Sequence, residues 1–354
     1  MSVGAGPWPG LRDIEVYDSP QFDVPVRLNT NECPHPLPED FMDELASTIR
    51  DLPLHRYPDG HMRRLLADLA AASMHPVGGV WAANGSNEVL TQLLQAYGGP
   101  GRRAAVFEPT YLLHSRLARL THTEVERLAL PDGFVLGDAE VAAVIAATPD
   151  VVFVCSPNNP TGNAQPLSAI VGIAQGLPNA LVIVDEAYGE FAPAASAQAL
   201  IATNPNIAIT RTFSKAFALA GARIGYLLAA PGTIADVQRV RLPYHLSALT
   251  QTAAIVALHH RAEASALLGA IRVQRDRISR ELRIIPHVTV YPSDANFVLF
   301  APPVDAGAVW QGLLDRGVLV RDLSAVVPNA LRVTAGTEHE TDQFLIAIKE
   351  VLAA

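Results

Sequence analysis

The chain alternates short, wholly apolar runs with longer stretches in which apolar residues recur every three or four positions. Ala104 to Phe107, Val151 to Cys155, Leu181 to Val184 and Asn206 to Thr210 are rich in β-branched side chains and end in polar or turn residues. Strands inside a parallel sheet are buried on both faces and lose the usual alternation, so these runs predict buried, mostly parallel strands. Helical periodicity fills the intervals, with starts at Asp138 before AEVAAVIAA, Ser168 before AIVGIAQG, and the Asn84-Gly85-Ser86-Asn87 turn before EVLTQLLQAY. Short polar side chains and glycine satisfy the free N–H groups of a first helical turn.

This alternation predicts an α/β fold, a mostly parallel sheet sandwiched by helices. From Ser247 to about Leu282 the pattern turns helical with a break near Arg261, and strands return at Val288 to Tyr291 and Asn296 to Phe300. The change of rhythm predicts an N-terminal arm over residues 1–40, a large domain over 41–250 and a smaller α+β domain over 251–354. No internal repeat is present.

Composition narrows the function. A chain of 354 residues with 49% hydrophobic and 17% charged residues can bury a large core and carries no long polar tract. A net charge of −9 and a pI near 5.6 argue against nucleic acid or an anionic membrane as partner, because both demand concentrated basic surface. Cys33 and Cys155 are far apart and lack zinc-ligand spacing, which suits a reducing cytosol. The eleven histidines are scattered, so no metal is expected. The start of the chain lacks a charged segment followed by an apolar run, and no apolar stretch approaches the length of a membrane span, so a cytoplasmic protein is expected.

In open α/β sheets, ligands gather beyond the carboxyl ends of the strands. Those positions hold SPNNPTGN after VVFVC, DEAYGEF after LVIV and RTFSKAF after NIAIT. The last contains Lys215, one of only two lysines in a chain whose other basic residues are all arginine. Arginine can replace lysine as a charge but not as an amine nucleophile, so Lys215 is a chemical candidate. No G-x-x-x-x-G-K-[ST] loop, G-x-G-x-x-G fingerprint or G-x-S-x-G elbow competes for the site.

Pyridoxal 5'-phosphate needs an amine for its aldehyde, an acid beside its ring nitrogen, and N–H donors with a cation for its phosphate. Lys215 supplies the amine and Asp185 the acid. Gly85, Ser86 and Asn87 open a helix whose free N–H groups and dipole suit a phosphate, with Ser214 and Arg223 adding donors.

SPNNPTGN, DEAYGEF and RTFSKAFALAGARIGY together resemble the class I/II aminotransferases of the fold type I pyridoxal-phosphate enzymes, and specifically the histidinol-phosphate aminotransferases. The resemblance runs from LNTNECPHP through RYPDG, NGSNE and EPTY to LRVTAGT. It implies that Lys215 bonds the cofactor and, once released, moves the substrate proton. Asp185 then pairs with the ring nitrogen, Asn159 and Tyr188 bond the ring oxygen, and Tyr111 stacks on the ring. Tyr57 is expected to reach the phosphate of a neighbouring subunit in a homodimer. Arg332 and Arg321 are expected to hold the substrate anion, with Tyr17 and Asn31 completing the pocket from the N-terminal arm.

The implied reaction moves the amino group of histidinol phosphate to 2-oxoglutarate, a step of histidine biosynthesis. An aromatic amino-acid aminotransferase is the nearest alternative, followed by a phosphothreonine decarboxylase and a non-catalytic ligand-binding relative. Two residues depart from the pattern, His114 after EPTY and Cys33 in the turn after Asn31. Both are expected near the substrate pocket, leaving the cofactor set untouched.

Overall fold

The computed structural model describes residues 4, 6–14, 16 and 20–353. Tyr17 lies outside them. In chain order the elements begin with β1 (Val26–Arg27), α1 (Glu39–Arg50), α2 (Arg63–Ser73), β2 (Val80–Ala83), α3 (Ser86–Tyr97), β3 (Arg103–Glu108), α4 (Leu113–Leu120) and β4 (Glu124–Ala129). Next come α5 (Asp138–Ala147), β5 (Val151–Cys155), α6 (Leu167–Gly176), β6 (Leu181–Asp185), β7 (Ile207–Thr212), β8 (Gly225–Leu228), α7 (Pro231–Val240) and α8 (Ala248–His259). The last part comprises α9 (Arg261–Arg283), β9 (Thr289–Val290), β10 (Phe297–Ala301), α10 (Ala306–Asp315), β11 (Val318–Leu319), β12 (Arg321–Asp322), β13 (Leu331–Thr334) and α11 (Glu338–Ala353).

Seven strands form the large sheet in the order β2-β8-β7-β6-β5-β3-β4. All pairings are parallel except those of β8, which runs antiparallel to both β2 and β7. Every residue of β5 and β6 is buried, which is why their sequences read as unbroken apolar runs. Each such Val or Ile contributes roughly 1.5–3 kcal/mol on leaving water. The four predicted strands of this sheet are present, each within two residues of its expected ends.

Two helix starts differ slightly from expectation. α5 begins on Asp138 itself, with Glu140 accepting a bond from the Gly137 N–H at 2.9 Å. α6 begins at Leu167 behind Pro166, so Ser168 is already inside the helix and does not cap it.

A second core lies around β10, β13 and the helices α9, α10 and α11, drawing on Phe297, Phe300, Leu313 and Phe344. The arm joins it through Val26 and Leu28, with β1 pairing β11 in parallel. α8 instead packs on the core of the large sheet through Ala254, Val256 and Ala257. The chain leaves α8, which packs on the first core, for α9, which packs on the second, at His260. Ser247 caps α8 by accepting from Thr250 N–H at 3.0 Å, and His260 accounts for the break expected near Arg261.

Among the described residues, no helix is long and apolar enough to cross a membrane.

Candidate active site

The carboxyl ends of β5, β6 and β7 open onto one cavity of about 490 Å³, which EPTY and the turn after β2 close from one side and Arg321 and Arg332 from the other. Asp185 is the last residue of β6 and is 1% exposed. Three donors fix its carboxylate: Thr210 Oγ1 at 3.2 Å and Ala187 N–H at 3.1 Å on Oδ1, and His114 Nε2 at 3.0 Å from Oδ2. His114 is fully buried and stacks on Phe153 with ring centroids 4.7 Å apart. The acceptor at Nε2 selects the tautomer that carries its proton there.

This corrects the expectation for His114. It does touch the cofactor set, because α4 turns its ring inward beneath Tyr111, whose ring meets it edge-on at 5.5 Å. Cys33 also departs from expectation. Its Sγ turns to the His35 carbonyl and its side chain packs against the second core, outside the lining of the cavity.

Lys215 follows the end of β7, and its Nζ donates to the Thr30 carbonyl at 3.0 Å while lying 5.9 Å over the Tyr188 ring. Loss of hydration, reinforced by the positive charges of Arg332 and Arg223, pulls its pKa down to about 7, against a smaller opposing pull from Glu32. The amine is thus available uncharged near neutral pH, as a nucleophile toward an aldehyde requires.

Opposite the amine is an anion cup. Gly85 adopts φ +85° and leads into α3, leaving the first N–H groups of the helix free. A Cβ on Gly85 would lie 2.7 Å from Arg223 Nη2, and one on Gly225 would lie 2.1 Å from Ser86 N. Both glycines therefore permit an approach that any side chain would block. Arg223 donates to Ser214 Oγ at 3.2 Å and Thr212 Oγ1 lies 3.0 Å from the same oxygen. Asn87 accepts from Tyr111 O–H at 3.2 Å, which fixes the tyrosine over the cavity.

The second anion site comes from the smaller sheet. Arg332 donates to Asn159 Oδ1 at 2.6 Å and to the Asn29 carbonyl at 2.8 Å, and its guanidinium lies 5.1 Å from the centre of the Phe297 ring. Arg321 is its direct cross-strand partner in the β12–β13 register, and both line the cavity. Asn31 donates through Nδ2 to Tyr188 Oη at 2.9 Å, so the arm is tied to the loop after β6. Burial pushes the Tyr188 hydroxyl up to about 12, which keeps it protonated.

All predicted site residues on the described chain gather here except Tyr57. That side chain is 81% exposed and stacks on Tyr244 at 4.5 Å, in a separate groove that also holds Leu54, His245 and Leu249. Sequence reasoning missed Thr210, Thr212, Thr30 and Glu32. The two threonines of β7 were readable as the alternate residues beside Lys215, whereas Thr30 and Glu32 are placed only by the path of the arm.

A buried acid, an amine of lowered basicity and an anion cup around one cavity suit a flat phosphorylated aldehyde with a basic ring nitrogen. Fold and site together are those of an aminotransferase. The family described as aminotransferase class I and II matches residues 24–348, and the chain belongs to it.

Within that family it is similar to proteins named histidinol-phosphate aminotransferase. The one from Mycolicibacterium smegmatis is 47% identical over 351 residues, covering 96% of this chain and 92% of that protein. Its counterpart in Rhodococcus opacus is 46% identical, covering 99% and 95%. Among solved structures, histidinol-phosphate aminotransferase from Sinorhizobium meliloti in complex with pyridoxal-5'-phosphate matches with a TM-score of 0.85 and 26% identity, covering 93% of this chain and 91% of that one. L-threonine-O-3-phosphate decarboxylase from Porphyromonas gingivalis shares the fold, with a TM-score of 0.81 and 21% identity over 93% of this chain and 100% of that one.

Proposed function

We propose that this protein transfers the amino group of histidinol phosphate to 2-oxoglutarate, yielding imidazole acetol phosphate and glutamate, with pyridoxal 5'-phosphate as cofactor. The observation that carries the reading is the pairing of Arg321 with Arg332 across β12 and β13 at the cavity wall opposite the cup. A doubly charged phosphate can accept from both guanidinium forks at once, which a single carboxylate satisfies less well. The 46–47% identity to the named relatives supports the same substrate.

The residues present fit the cofactor. Gly85, Ser86, Asn87, Ser214 and Arg223 would hold its phosphate, and Tyr111 would cover one face of its ring. Asp185 would keep the ring nitrogen protonated, since a desolvated carboxylate fixed by three donors favours a cation beside it. Asn159 accepts from Arg332 through its oxygen and so has its amide N–H groups to offer the ring oxygen. Tyr188 accepts from Asn31 and so has its hydroxyl proton to offer the same atom. When bound, the cofactor supplies an electron sink for the substrate carbon that loses its proton. Lys215 Nζ takes that proton and returns it on the far side of the transferred nitrogen, two atoms along, acting as general base and then acid.

Tyr57 would serve a second copy of the chain. Leu54, Tyr244 and Leu249 stand exposed in the groove around it, and a homodimer would cover them while carrying the Tyr57 hydroxyl to the partner's cup. We place this homodimer in the cytoplasm. The apolar rim of Leu112, Leu323 and Val326 favours one second reading, an aromatic amino-acid aminotransferase in which Arg332 holds a carboxylate.

Steady-state rates with 2-oxoglutarate separate the two. Histidinol phosphate is expected to exceed phenylalanine in kcat/KM by orders of magnitude, and the reverse order would reject the proposal.

A further inference from the structure

Three groups that border the reacting centre come from one strap, residues 29–32, which crosses the cavity between β1 and α1. The Asn29 carbonyl accepts from Arg332 at 2.8 Å, and the Thr30 carbonyl accepts from Lys215 at 3.0 Å. The Thr30 hydroxyl donates to Glu32 Oε2 at 2.8 Å, and Glu32 lines the same cavity from its exposed rim. Anion clamp, amine and carboxylate thus follow one another along four residues of backbone. Histidinol phosphate has the same order along its own chain: phosphate, amine-bearing carbon, imidazole.

Laying the phosphate on Arg332 and the amine-bearing carbon at Lys215 carries the heterocycle toward Glu32. We infer that Glu32 is a specificity-determining residue, whose carboxylate accepts a hydrogen bond from the substrate imidazole N–H. This rests on the functional reading above and deepens it. The Thr30 hydroxyl occupies one carboxylate oxygen and orients the group, leaving the other to accept. Asp185 cannot take this role, because it is buried on the far side of the site and engaged by His114, Thr210 and Ala187. Leu112, Leu323 and Val326 can pack on a ring but cannot tell imidazole from phenyl. A carboxylate can, since a phenyl ring would strip its water and return no donor.

The test compares histidinol phosphate with phenylalaninol phosphate, which differs only in the ring, using the pyridoxal-phosphate-loaded enzyme and 2-oxoglutarate. Glu32→Gln removes the pull on Lys215 for both substrates alike, so the reading is the ratio: kcat/KM for histidinol phosphate is expected to fall roughly tenfold or more relative to that for phenylalaninol phosphate. Glu32→Asp should recover part of the loss. In the wild type, KM for histidinol phosphate should rise as pH climbs past the substrate's imidazole pKa, and that dependence should flatten in Glu32→Gln. Equal losses for both substrates overturn the inference alone. A wild-type enzyme that turns over phenylalaninol phosphate or phenylalanine but not histidinol phosphate overturns the functional reading, and the inference with it.

Discussion

His114 and Asp185 meet inside the protein, Nε2 to Oδ2 at 3.0 Å, with less than 3% of either side chain open to solvent. The histidine arrives from α4 and the aspartate from the end of β6, so the contact ties the helix behind EPTY to the acid that faces the cavity. Replacing His114 with phenylalanine keeps the stack on Phe153 and removes one of three donors from Asp185. Losing one bond to a charged group costs about 1.5–3 kcal/mol, so cofactor affinity should fall by roughly one to two powers of ten. Absorbance titration of the cofactor-free protein reads this directly, and an unchanged dissociation constant would show that the contact has no part in holding the acid.

Lys215 makes cofactor capture depend on pH. With its pKa drawn down to about 7, the cofactor-free protein should bind the aldehyde slowly at acid pH and faster as pH rises through neutrality. The linkage has a definite sign. Between about 7 and the ordinary lysine value of 10.5 the unfolded chain holds a proton that the folded chain has released, so stability rises with pH across that window. Thermal melts of the cofactor-free protein should show this slope, and Lys215→Met should abolish it.

Glu190 imposes a slope of the opposite sign at lower pH. Both of its carboxylate oxygens are buried without a hydrogen-bond partner, and desolvation raises its pKa from 4.5 to about 7 despite the nearby Arg211 guanidinium. Arg211 is already engaged by Glu186, through Nε at 3.0 Å and Nη2 at 2.7 Å. Between 4.5 and about 7 the folded state holds the proton that the unfolded state gives up, so this group's contribution declines as pH rises and is flat above. Glu190→Gln should remove the decline and raise the melting temperature above neutrality. A variant with the same pH profile as the parent would refute the assignment.

Gly225 sets the height of the anion cup. A methyl group there would lie 2.1 Å from Ser86 N and 2.3 Å from the Gly85 carbonyl carbon, both backbone atoms that move only with the turn. Gly225→Ala should weaken binding of pyridoxal 5'-phosphate by roughly tenfold or more, the scale of one lost charged hydrogen bond, and leave capture of pyridoxal, which lacks the phosphate, nearly unchanged. Gly221→Ala, in the turn that precedes β8 and with nothing within 4 Å of its added carbon, is the control.

Much of this protein could be read from its residues in order. The apolar runs at Val151 and Leu181 are unbroken because both faces of those strands are covered, and that need shows in any fully buried parallel strand. Lys215, Asp185 and the Gly85 turn were legible because each stands where a strand ends, and strand ends share one edge of the sheet. His114 was misjudged because helical spacing says which residues share a face, not which side chain lies across the sheet from it. The arm was opaque for a related reason. Residues 29–32 have no periodic pattern, and their carbonyls reach Arg332 and Lys215 across sequence separations of 303 and 185. Local propensity and burial pattern determined the elements and the reactive set. Only long-range packing decided what touches Asp185, how far the amine's basicity falls and which residue borders the substrate, because those depend on distances that the order of residues does not encode.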